Sequence, residues 1–273
     1  MPSYTEVTPI SGRRPRLTVA LLAVAVSILI IAIMLPPHTL LGKADVVGYG
    51  ICHRLPDRSF FLNGRQLPLC ARCTGTFLGA IIGLVTMLLL GRRRASRLPP
   101  VPVLAVLVFF IGFWAFDGLN SYMTFFPGAP NLYPPQNWLR LATGMLNGLA
   151  LVIIVFPIFS YTLWRDTTRD CVIKNVGEIL AILPVVALLV WIIQAEINVL
   201  LYPLAILSSL GVVMMLTLIN TMIATVVLGR EGQARTWVQA LVPLTIGAAL
   251  AILQVTAMVL LRAYLTIELG LPI

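Results

Sequence analysis

Seven uninterrupted apolar runs divide the chain, at about 17–35, 72–90, 101–118, 138–163, 177–196, 202–228 and 237–264. Each approaches or exceeds the ~20 residues that carry a helix across the ~30 Å hydrocarbon core of a bilayer. A backbone in that medium must satisfy its own N–H and C=O groups, so only helices and closed barrels span it. Barrel strands would be segments of about ten residues with alternating polarity. These runs are continuously apolar, so the expected fold is all-α: a polytopic transmembrane bundle of about seven spans. Composition agrees, with 59% hydrophobic and 11% charged residues against roughly a quarter charged in a soluble domain. A water-soluble globular protein is excluded.

Charge then orients the bundle. Nineteen Lys and Arg against ten Asp and Glu give a net +9, which in a soluble protein would point to nucleic acid. Here many basic residues sit in short connectors, where they set membrane orientation, and no nucleic-acid partner is expected. With the N-terminus inside, Arg13, Arg14, Arg16, Arg92–Arg94, Arg97, Arg165, Arg169, Lys174, Arg230 and Arg235 are cytoplasmic, twelve of the nineteen. This predicts a multi-pass protein of a plasma (inner) membrane, its N-terminus cytoplasmic and its C-terminus outside. The first run follows three arginines but exceeds a signal-peptide core and ends at Pro36-Pro37 without a small-x-small site, so it reads as a retained helix. Three segments follow: a cytoplasmic tail over 1–16, a four-helix module over 17–163 carrying a loop at 36–71, and a three-helix module over 164–273.

The 36–71 loop is the longest connector and carries arginines on the side where the rule disfavours them, which suggests a purpose beyond topology. It brings Cys52-His53 and, after sixteen intervening residues, Cys70-Ala71-Arg72-Cys73. Between them lies Asn63-Gly64, flanked by strand-like residues, the strongest short hairpin signal. Continued in register, that turn would set Asp57 opposite Cys70 and Arg54 opposite Cys73, bringing Cys52 and His53 to the Cys-x-x-Cys pair.

Three thiols and an imidazole suit a tetrahedral site, with zinc as the metal that soft thiolate and imidazole ligands select. Cys52, Cys70 and Cys73 are its ligands in this reading. His53 joins them only if the chain turns between residues 52 and 53, because adjacent extended residues point apart. Otherwise the fourth position is open, and His53 is free as a base or substrate contact. The competing reading is redox: a helix N-terminus and Arg72 both favour a thiolate in the Cys70/Cys73 pair, as in a quinone-linked membrane thiol-disulfide oxidoreductase. Such enzymes carry a second outer cysteine pair, and here only Cys52 remains nearby. A third reading is a non-enzymatic assembly or transport component in which a closed zinc knuckle staples the loop.

Polar residues gather at the same end of the neighbouring spans. Asp117 and Asn120 close the third, while Asn137, Arg140, Gly144, Asn147 and Gly148 form one narrow stripe on the fourth that should face other helices. Arg140 opposes the helix macrodipole and needs a counter-charge. Asp117 is the nearest candidate in sequence, and an anionic ligand group is the other. Arg54, Arg58, Arg72 and Arg140, with Asn120 and Asn137, are therefore expected to surround an anionic, lipid-like small molecule, with Asp117 as counter-charge or base. Gly75, Gly79 and Gly83 form a second small-residue ridge for close packing. Farther on, Asn220, Gln254 and Arg262 read as helix–helix hydrogen-bonding or snorkelling residues.

The combination Cys52-His53-Arg54, Arg58-Ser59, Leu69-Cys70-Ala71-Arg72-Cys73-Thr74-Gly75, Asp117-Gly118, and Leu139-Arg140 with Thr143-Gly144 resembles a group of prokaryotic polytopic membrane proteins, domain of unknown function 2085. The resemblance spans roughly residues 48–150. It implies an integral membrane protein with no assigned reaction, and supports treating these positions as one site. The sequence has no Gly-rich phosphate loop, His-Glu-x-x-His or Gly-x-Ser-x-Gly, so nucleotide-driven transport, gluzincin proteolysis and α/β-hydrolase chemistry lack support.

Overall fold

The structure, a computed structural model, describes residues 15–126, 128 and 130–268. The expectations for residues 1–14 of the tail, Arg13 and Arg14 included, lie outside the described residues, while Pro15 and Arg16 already belong to the first helix. All seven apolar runs are helices long enough to cross a membrane: α1 (Pro15–Met34), α3 (Ala71–Leu89), α4 (Val101–Met123), α5 (Asn137–Leu163), α6 (Val176–Gln194), α7 (Leu201–Val227) and α8 (Trp237–Glu268). Their outer faces are apolar; Val19 on α1 is 67% exposed and Trp191 on α6 69%. Such surface over a whole bundle is tolerable only where lipid replaces water.

α2 (Leu40–Ile51) is an additional helix inside the segment expected to be a connector. At 1.5 Å per residue its twelve residues extend about 18 Å, too short to span. Gly42, Lys43, Asp45, Gly48 and Gly50 dilute its hydropathy, which hid it from a search for long apolar runs. Thr39 caps its N-terminus by accepting from the Gly42 N–H at 3.1 Å. Lys43 donates to the carbonyls of Ala32 and Leu35 at 2.9 and 2.8 Å, closing the C-terminal end of α1.

α5 is the axis of the bundle, its helical face buried from Arg140 to Leu163. α3 lies against it through two interlocking glycine ridges. A Cβ on Gly75 or Gly79 would strike the backbone of Leu141 or Met145, and one on Gly144 or Gly148 would strike that of Arg72 or Thr76. Small residues on both partners let the backbones meet, the usual basis of close helix association in lipid. α7 packs on α3 and α5, and α8 joins α7, α1 and α2. Asn220 donates to Gln254 at 3.1 Å, tying α7 to α8 as the sequence suggested.

One end of the bundle carries the termini of α3, α5 and α7 that precede the descending helices, together with the segment from α2 to α3. The opposite end carries a parallel pair of short strands, β3 (Ala95–Arg97) and β4 (Thr168–Cys171). There Arg92 holds Glu178 through both of its terminal nitrogens, at 2.5 and 2.6 Å.

Candidate functional site

The segment from α2 to α3 is built around the expected hairpin. β1 (Phe61–Leu62) and β2 (Arg65–Gln66) pair antiparallel, Phe61 with Gln66 and Leu62 with Arg65. Asn63 and Gly64 have φ of +52° and +71°, the left-handed pair that a two-residue type I′ turn requires. Leu62 and Leu67 are fully buried, so the hairpin is packed into the protein. The ladder runs only as far as the Leu67 N–H to Phe60 carbonyl bond, at 3.0 Å. Beyond it, Pro56–Arg58 form a 3-10 turn, so the continued register of Asp57 with Cys70 and Arg54 with Cys73 does not form. Pro56 and Pro68 lack the N–H groups such a ladder needs.

The cysteines converge by another route. Cys52 ends α2, its N–H bonded to the Gly48 carbonyl, and Cys70 is the residue just before α3. Gly48 admits this approach, since a Cβ there would collide with the Pro68 carbonyl. The Cys70 N–H donates to the Cys52 sulfur at 3.2 Å. Cys73 follows one helical turn later, and the three Sγ atoms all lie within 4.8 Å of one another. Three sulfurs this close together could hold a metal ion; Zn–S bonds of about 2.3 Å at tetrahedral angles would set them about 3.8 Å apart. Contact with the Cys70 and Cys73 thiols holds Cys52 well below the usual thiol range, while the neighbouring Cys52 pushes Cys70 up to about 11. Negative charge on any one of these sulfurs disfavours charge on the other two, a repulsion that a bound cation would offset.

His53 stands beside this trio. The residue is exposed, and Nδ1 lies 4.0 Å from the Cys52 sulfur. The bend comes one residue later, at Arg54, with φ of +53°. A cavity of about 210 Å³ opens here between α2 and α8, lined by Cys52, His53, Met258, Leu261 and Arg262 among others. Arg262 reaches across from α8 to the carbonyls of Tyr49, Cys52 and His53, at 2.7, 2.6 and 3.2 Å. It fastens the end of α2.

On the other side of the cysteines, Arg72 forms an ion pair with Asp117, whose side chain is fully buried. Tyr133 donates its hydroxyl to the other Asp117 oxygen at 2.9 Å, and Thr143 approaches at 3.4 Å. Asp117 is therefore the partner of Arg72, whereas Arg140 donates to the Ser121 hydroxyl at 3.1 and 2.8 Å and to Asn137 at 2.7 Å. Arg58 donates to the Ser121 carbonyl and the Thr124 hydroxyl, both at 3.1 Å, and stacks on Phe125. Asn137 also donates to the Asp57 carbonyl at 3.3 Å. Asn120 clasps the α4–α5 loop through the Tyr133 carbonyl and Leu132 N–H. Arg54 stands apart from this group: it and Arg65 both pair with Asp45.

Sequence reasoning left out Asp45, Ser121 and Tyr133. Ser121 was detectable, because it follows Asp117 by one helical turn on the same face. Tyr133 carries no signal, lying in a loop without periodicity.

A helical bundle with lipid-facing surfaces and a cysteine cluster at one end defines an integral membrane protein. Residues 52–154 match a family described as predicted membrane protein (DUF2085). An uncharacterized protein of Methanothermobacter thermautotrophicus is 31% identical over 104 residues, covering 38% of this chain and 83% of the relative. Another, from Methanocaldococcus jannaschii, is 28% identical over 115 residues, 42% of this chain and 67% of that protein. The chain belongs to this family. No solved structure matches it.

Proposed function

We propose that the protein holds a zinc ion on Cys52, Cys70 and Cys73 at the extracytoplasmic end of its bundle, beside a cationic recess that receives an anionic ligand. The observation that carries this is the gathering of three sulfurs within 4.8 Å from two separate segments. Thiolates so close repel one another, and a divalent cation of soft preference relieves that repulsion. His53, with Nδ1 4.0 Å from the Cys52 sulfur but outside the trio of mutually close ligand atoms, is the nearest candidate to complete the coordination or to act beside an open fourth position. The orientation rests on the basic connectors Arg92–Arg97, Arg165–Lys174 and Arg230–Arg235, which share the end opposite the cysteines and belong in the cytoplasm by the positive-inside tendency. The membrane in this reading is a prokaryotic plasma membrane.

Metal analysis of the purified protein tests the reading. One zinc per chain is expected, lost in Cys70→Ser and in Cys52→Ser. A metal-free wild type whose intact mass reveals a Cys70–Cys73 disulfide would overturn it in favour of thiol-disulfide exchange. Labelling of Cys70→Ser and wild type with an impermeant thiol reagent in sealed cells, after chelation, tests the orientation.

A further inference from the structure

Three guanidinium groups meet within one turn of α4. Arg72 lies on Asp117, while Arg58 and Arg140 share Ser121, one taking its carbonyl and the other its hydroxyl. Asp117 and Ser121 are four residues apart, hence stacked on one helix face. Arg140 is only 6% exposed, and among the described residues no carboxylate lies within 4 Å of it. Arg72 already takes Asp117, and the Nε of Arg72 is buried without a hydrogen-bond partner. Arg58 is drawn below its ordinary value by burial and by the charge of Arg72. Three positive charges therefore face one buried carboxylate, Asp117; the exposed Asp57 acts on Arg58 from beyond ion-pairing distance, and Arg58 is only partly buried, so the unpaired cationic charge lies deepest at Arg140. Buried charge of this kind calls for a partner.

We infer that Arg58, Arg72 and Arg140 bind a dianionic phosphoryl group, either free phosphate or the phosphomonoester headgroup of a lipid. Two charges match the local excess, and a phosphoryl group offers oxygens in several directions to guanidiniums that approach from the 56–58 turn, α3 and α5. Planar guanidinium forks suit such oxygens. A carboxylate, with one charge, would leave the site still positive. Ser121 and Asn137 orient two of the arginines, and Tyr133 and Thr143 keep Asp117 fixed on the third. This inference deepens the reading above, supplying the ligand class for its cationic recess.

The test uses full-length protein in nanodiscs, with inorganic phosphate as one probe and phosphatidate in a phosphatidylcholine bilayer as the other. Saturable binding of either probe is expected, and which one binds identifies the source. Arg58→Gln and Arg140→Gln should each weaken binding at least tenfold, while Arg65→Gln, which alters a cation paired with Asp45 outside the group, should not. Should Arg140→Gln fail to fold, Arg140→Lys and the rim variant Arg58→Gln carry the comparison. Absence of binding by both probes overturns the inference, as does binding unchanged in the arginine variants or equal binding of monoanionic phosphatidylglycerol. Zinc content is measured on the same samples. Zinc-loaded protein that binds no phosphoryl probe defeats this inference alone; zinc-free protein that binds one defeats the metal reading alone.

Discussion

Arg72, the second residue of α3, points its guanidinium at the wholly buried carboxylate of Asp117 on α4. A cation at a helix N-terminus opposes the macrodipole, so this pair offsets a local cost as well as joining two helices. Removing one partner strands the other. Asp117→Asn is expected to destabilise the protein by about 3–5 kcal/mol, the scale of a broken buried ion pair, read as a lower unfolding midpoint in detergent. Asp117→Asn with Arg72→Met should recover part of the loss, and a double variant as unstable as the single would show that the pair is not the cause.

The glycine ridges make an equally sharp contrast. A side chain on Gly148 would overlap the Thr76 carbonyl, whereas nothing lies within 4 Å of a Cβ placed on Gly112. Gly148→Val should therefore cost at least the ~1–3 kcal/mol of an overpacked core, with lower yield of monodisperse protein. Gly112→Ala should stay within about 0.5 kcal/mol of the parent. Equal behaviour of the two variants would contradict the α3–α5 contact.

How much of this was legible follows from the range of each interaction. The spans were readable because lipid imposes its demand on every residue of a run, independently of what packs against it. The Asn63-Gly64 hairpin was readable because its turn geometry is local. α2 was not, since Gly48 and Gly50 are chosen by the backbones of Pro68 and Val255 that approach them, and those neighbours come from elsewhere in the chain. Which guanidinium Asp117 takes was left open for the same reason. Its helix position is visible in the sequence, but whether α3 or α5 supplies the nearer guanidinium is decided by how the three helices are rotated in the bundle. The cysteine convergence was anticipated, though through a ladder that stops at Phe60 and Leu67, with α2 supplying the remaining constraint.

Tyr133 offers a spectroscopic handle on the Asp117 group. Burial, and then its hydrogen bond to Asp117, push its phenol up to about 12, against about 10 for a free tyrosine. Between those values the folded protein keeps a proton that the unfolded chain releases. The contribution to stability is fully present below pH ~10 and is lost as pH rises toward ~12. Alkaline difference absorbance should show one late-ionising phenol that disappears in Tyr133→Phe; an unchanged titration in that variant would place the late group elsewhere.

Arg262 connects the C-terminal helix to the cysteine cluster, and its effect on metal should be separable from its effect on folding. Its guanidinium collects the carbonyls of Tyr49, Cys52 and His53 and lies over the Tyr49 ring at 4.5 Å, so it fixes the direction in which Cys52 leaves α2. Residues that orient a ligand typically alter metal affinity 10–100-fold when changed. With zinc held as proposed, Arg262→Leu is expected to release it to a competing chelator about 10–100-fold more readily, while α7 and α8 stay associated through Asn220 and Gln254. Arg262→Lys keeps the charge but cannot span three carbonyls with a planar fork, so it should fall between the two. If both variants exchange metal at the parental rate, α8 plays no part in holding the site, and the cysteines are positioned by α3 and the hairpin alone.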